Sequence, residues 1–99
     1  MLHIVNQSPY QSSTLASCLR LLQPGHSLLL IEDAVYAADS AGSQQAALQQ
    51  AAARAKVYAL KPDVEARGLG QRVMENVTLI DYSGFVTLVA ETSTSHSWL

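Results

Sequence analysis

Four short, largely apolar runs punctuate the chain: LHIV at 2–5, LLLI at 28–31, VYAL at 57–60 and VTLI at 77–80. Each is too brief for a helix, and unbroken rather than alternating apolarity suits strands covered on both faces, as in a parallel sheet. Between the runs the apolar positions change to helical spacing. Leu15, Cys18, Leu19 and Leu22 fall at i, i+3, i+4 and i+7, behind Ser12 or Ser13 as a capping residue and ahead of the stop Pro24-Gly25, which predicts a helix from there to about Gln23. A second helical region runs from Asp33 to about Ala55, broken near Asp39 to Gly42, with Leu48, Ala51, Ala52 and Ala55 on one stripe of its latter part. Alanine favours the helix but buries little area, so this element should dock closely and hold weakly. A third, short helix opens at Lys61-Pro62-Asp63, where proline suits the first turn and the acid suits the positive end, and stops at Gly68. The fourth begins near Asp81 as a cap and places Tyr82, Phe85, Val86 and Val89 on one face. The polar STSHS run follows, and the terminal HSWL reads as an edge strand.

The order β-α-β-α-β-α-β-α with a fifth strand predicts a three-layer α/β fold: a small, mostly parallel sheet with helices on both faces, flavodoxin-like or Rossmann-like. A length of 99 residues makes it one domain spanning 1–99. Such a domain buries about two-thirds of its unfolded surface. Hydrophobic residues make up 48% and charged residues only 14%, so part of the apolar surface is expected to meet another subunit. Six basic against eight acidic residues, with no basic run, omit the electrostatic footprint of a nucleic-acid reader. No apolar run approaches the roughly 20 residues that span a bilayer. A single cysteine forms no internal disulfide, and MLHIVNQSPY lacks the features of a signal peptide, so the expected location is the cytoplasm. The sequon at Asn76-Val77-Thr78 is then a chance match.

Folds of this kind place active groups at the carboxyl ends of strands, here Asn6 to Tyr10, Glu32-Asp33, Lys61 to Asp63 and Asp81-Tyr82. The turn after the first strand, NQSPYQSS, has no glycine, and Gly68-Leu69-Gly70 follows a helix, so neither phosphate-loop motif is present and no cofactor is expected. His3, His26 and His96 lack ligand spacing, which points to a satisfied strand residue and two solvated rings, and no metal is expected. Asp33 reads as a helix cap. The serines fall in no nucleophile motif, and Asp63 and Glu65, two apart, point in different directions. Cys18 is the one group reactive near neutral pH. It sits past the strongest dipole field of its helix on a leucine stripe, with Arg20 facing elsewhere. Two readings stand side by side: a buried small hydrophobe, or a sulfur nucleophile.

Taken in order, MLH at the start, Ser8-Pro9, CLRLL at 18–22 with Gly25, LLLIED at 28–33, Tyr36-Ala37-Ala38, VYAL at 57–60, Ala66-Arg67-Gly68, Ile80-Asp81-Tyr82 with Phe85-Val86, and Trp98 resemble the DsrH/TusB family of small sulfur-relay subunits, of DsrE-like fold. The resemblance implies a non-catalytic subunit of a sulfurtransferase complex. Its partners would be paralogous TusC-like and TusD-like (DsrF/DsrE-like) subunits in a dimer of heterotrimers. That complex takes persulfide sulfur from a small donor protein and hands it to an acceptor carrier, toward 2-thiolation of the tRNA wobble uridine. The chain itself would touch neither nucleic acid nor membrane. VYALKPDVEARG carries no cysteine after the third strand, unlike the principal sulfur-accepting subunit. Cys18 matches a helix-one cysteine of DsrH-like members. The alternative is therefore a DsrH-like subunit of a DsrEFH complex in cytoplasmic sulfur oxidation, with Cys18 as an auxiliary persulfide carrier. Tyr82, Phe85 and Trp98 are the candidate interface residues.

Overall fold

A computed structural model describes residues 1–98, so Leu99, the last residue of the expected edge strand, lies outside the described residues. The apolar runs form strands β1 (Leu2–Val5), β2 (Ser27–Leu30), β3 (Lys56–Leu60) and β4 (Thr78–Ile80), joined by β5 (Ser95–Trp98). They make one five-stranded parallel sheet in the order β4-β3-β2-β1-β5. The helices are α1 (Thr14–Leu21), α2 (Gln45–Ala52), α3 (Lys61–Ala66) and α4 (Tyr82–Glu91).

Topology decides which face each helix covers. The steps β1→β2→β3→β4 all move one way across the sheet, and right-handed crossovers keep α1, α2 and α3 on one side. The return from the β4 edge to β5 runs the opposite way and lays α4 alone on the other side. The core belongs to the crowded side. There Val5, Leu28, Leu30, Val57 and Ala59 alternate along β1 to β3 and meet Leu15, Cys18 and Leu22 after α1, and Leu48 and Ala51 of α2.

Local chemistry sets the element ends. Gly25 and Gly68 take left-handed backbone at φ 87° and 70°, closing the turns after α1 and α3. Arg54 reaches back to the carbonyls of Leu19 (2.9 Å) and Leu22 (3.1 Å), satisfying the free end of α1. The second helical region breaks where expected, into a 3-10 segment Glu32–Ala38 and then α2. The break is pinned from outside: Asp39 pairs antiparallel with Val73, its carboxylate accepts from Ala41 N–H (3.0 Å) and Arg72 (3.2 Å), and Met74 N–H donates to Ala38 O (2.9 Å).

Two local expectations need correction. Asp33 caps nothing, because Ile31 occupies the cap position and the Asp33 carboxylate instead accepts Arg67 at 2.9 Å. His26 is not a solvated ring; it is half-buried and bonded to His3 at 3.1 Å.

Candidate functional site

The largest anomaly in the fold is α4, ten residues with an apolar stripe and no buried residue. Asp81 caps it as expected, its carboxylate accepting Gly84 N–H at 2.8 Å. The side turned to the sheet is the poorer one. Gly84 sits so close to β4 that a Cβ there would lie 3.1 Å from Cβ of Ile80, and Leu88 shares a groove with Tyr58 and Ile80. The apolar stripe points outward instead: Tyr82 is 60% exposed, Val86 69% and Val89 39%, and with Phe85 and Ala90 they line a shallow trough of about 390 Å³. Leaving a contiguous apolar helix face in water forgoes roughly 1.5–3 kcal/mol per large side chain that burial would return. Tyr82, Phe85, Val86 and Val89 make this surface a candidate contact face.

The strand ends carry polar chemistry of another kind. Glu32 closes β2 with left-handed backbone at φ 49°, and its N–H donates to Asp63 Oδ2 at 2.7 Å, so the first turn of α3 anchors the end of β2. Arg67 bridges Asp33 (2.9 Å) and the Asp63 carbonyl (3.1 Å), and Asn6 Nδ2 donates to Glu32 Oε2 at 3.4 Å. These groups tie three strand ends together. Among the described residues no set of three or more His, Cys, Asp or Glu could hold a metal ion, and no helix is long and apolar enough to cross a membrane.

Cys18 lies in the core at 0% exposure, and burial pushes its thiol from 9.0 up to about 11. At pH 7 that leaves on the order of one thiol in ten thousand ionised. Trp98 stands apart from Tyr82 and Phe85. It is half-buried at the end of β5 on the core side, its indole N–H donating to His3 Nδ1 at 3.1 Å. The structure thus brings Tyr82 and Phe85 together on α4 and places Cys18 and Trp98 elsewhere. Val86 and Val89 complete the exposed face; the spacing of the stripe signalled them, but not that it would turn away from its own sheet. No sequence signal linked His3 to His26.

Fold and site together define a class: a small parallel α/β domain whose polar strand ends are tied up internally and which exposes an apolar helix face. The sequence model of the DsrH like protein family matches residues 7–95, and the chain belongs to that family. It is 39% identical to Protein TusB of Pectobacterium parmentieri and 40% identical to Protein TusB of Escherichia coli O81 (strain ED1a), each over 98 residues covering 99% of this chain and 100% of the relative. Among solved structures, the ychN protein from E. coli superposes with TM-score 0.85 at 21% identity, covering 97% of each chain. MTH1491 from Methanobacterium thermoautotrophicum, a protein of unknown function, gives 0.76 at 14%, covering 97% of this chain and 95% of its own. These structural likenesses speak to the fold.

Proposed function

We propose that the chain is the TusB-type subunit of a TusBCD-like sulfur relay that moves persulfide sulfur toward 2-thiolation of the tRNA wobble uridine in the cytoplasm. It contributes shape and docking surface to a dimer of heterotrimers with TusC-like and TusD-like subunits. The observation that carries this reading is the outward apolar face of α4, Tyr82–Phe85–Val86–Val89, on a chain that matches TusB proteins along nearly its whole length. Two further features support it. The only thiol is held protonated in the core, which suits a subunit whose partner bears the working sulfur, and the chain has a net charge of −2, which suits no direct grip on RNA.

The test is deletion of the gene followed by mass-spectrometric analysis of tRNA nucleosides. The proposal expects wobble 2-thiouridine to be lost and to return with a plasmid copy. Undiminished 2-thiouridine together with impaired oxidation of reduced sulfur overturns it in favour of the DsrH-like alternative. Loading the assembled complex with a persulfide donor, then weighing each intact chain, separates the roles of the cysteines: mass should be added to the TusD-like subunit and not to Cys18.

A further inference from the structure

The three histidines, scattered at 3, 26 and 96, converge with His3 at the centre, its ring 5.0 Å from that of His26, 6.4 Å from that of His96 and 6.2 Å from that of Trp98. His3 is 3% exposed. Trp98 Nε1–H donates to its Nδ1 at 3.1 Å, and an indole nitrogen can only donate, so Nδ1 is bare and the proton of His3 rides on Nε2. Nε2–H in turn points at His26 Nδ1, 3.1 Å away, which also accepts the backbone N–H of Gln23 at 3.2 Å and is therefore bare as well. The chain Trp98→His3→His26 closes only with both imidazoles neutral. A proton added to His3 Nδ1, or to His26 Nδ1, sets two donors against each other.

The groups facing His3 give that proton no shelter. The N-terminal amine, His26 ahead of β2 and His96 on β5 each disfavour a positive His3, behind the larger effect of burial, and no carboxylate is among them. From α1 the sheet-facing residues are Leu15 and the protonated Cys18, followed by Leu22. The cations at the end of that helix are Arg20, which donates to Ser17 Oγ, and Arg54, on the Leu19 and Leu22 carbonyls. Strand β5, meanwhile, is an edge strand paired only with β1, and Ser95, His96 and Ser97 are exposed, leaving Trp98 as its one residue packed on the core.

We propose that Trp98–His3–His26 is a pH-operated latch on β5: closed while both rings are neutral, it opens when His3 takes up a second proton from solvent, releasing the indole and baring the edge of β1. Opening is linked to one proton, so below the ordinary histidine value of 6.5 the open fraction rises about tenfold per pH unit until His3 titrates in the closed form.

Two readouts on the full-length chain test this between pH 8 and pH 5: amide exchange of β5 corrected for its intrinsic pH dependence, and fluorescence of Trp98, the only tryptophan. Wild type should lose β5 protection and change its emission below about pH 6.5. His3→Asn keeps an acceptor for the indole and cannot titrate, so it should stay closed, whereas His96→Asn, which removes one of the groups that disfavour a positive His3, should still open on acidification, with its loss of β5 protection displaced toward higher pH. A flat wild-type response, or one that survives in His3→Asn, overturns the latch. Should His3→Asn fail to fold, the ring nitrogen shifts of wild-type His3 at pH 7.5 decide: the Nε2–H form sustains the proposal and the Nδ1–H form overturns it.

Discussion

Replacing Cys18 by serine exchanges one atom and separates a core thiol from a working one. Cys18 is fully buried in the core cluster that also holds Val5, Leu15, Leu22 and Leu28, with no polar group bonded to it among the described residues. A hydroxyl placed there loses its water without a designed partner, which costs about 1–3 kcal/mol. The lower end applies if it bonds back to the Thr14 carbonyl one turn earlier on the helix. For a domain of this size each kcal/mol moves Tm by roughly 4–8 °C, so Cys18→Ser should melt about 4–24 °C below wild type. Cys18→Ala adds no polar group, leaves only a small void, and should cost about 1 kcal/mol. Urea unfolding followed by circular dichroism at 222 nm reads both midpoints, with an unchanged m-value expected. Were Cys18 a surface sulfur carrier, both variants would fall within about 0.5 kcal/mol of wild type. That result, with serine no worse than alanine, would refute the burial argument and restore the thiol as a candidate for chemistry.

Other consequences follow from single contacts. Arg54→Ala removes the hydrogen bonds to Leu19, Leu22 and Gln50 and should destabilise the chain by about 1–3 kcal/mol, read as a lower urea midpoint and faster amide exchange at the end of α1. Arg67→Ala unties Asp33 from α3; because that pair is partly exposed, the loss should be nearer about 1 kcal/mol and shrink in high salt. The His3 ring has its pKa lowered by burial first and then by His26, His96 and the N-terminal amine. A histidine whose folded value lies below its unfolded one binds protons better unfolded. Its contribution is therefore complete above about pH 6.5 and is lost as pH falls through that value toward the folded pKa, so the urea midpoint should decline on acidification and less so in His3→Asn.

The sheet and its helices were legible because strand and helix periods differ, and because Pro24-Gly25, Pro62, Gly68 and Asp81 mark boundaries with specific backbone needs. The boundary that failed was Asp33. A cap preference is a local tendency, and Arg67, 34 residues away, offered that carboxylate a stronger partner. The histidine–tryptophan chain was invisible for the same reason: residues 3, 26 and 98 meet only through strand register. For α4 the stripe put Tyr82, Phe85, Val86 and Val89 on one face, and periodicity carries no information on which way that face turns. Gly84 decides the orientation, since the close approach to Ile80 is open to a residue without a side chain.

The proposed function rests on α4 as a docking face, and sedimentation velocity of the chain with its co-purified TusC-like and TusD-like partners tests that most directly. Val86, 69% exposed, can be replaced by glutamate without disturbing the fold of the free chain, so Val86→Glu should leave Tm within a few degrees of wild type. Wild type should sediment with both partners as one species, and because a buried charge at the centre of an apolar contact costs at least about 2 kcal/mol, the variant should bind them at least about 30-fold more weakly. A Val86→Glu chain that assembles with undiminished affinity, or a wild-type chain that remains monomeric beside both partners, contradicts the account.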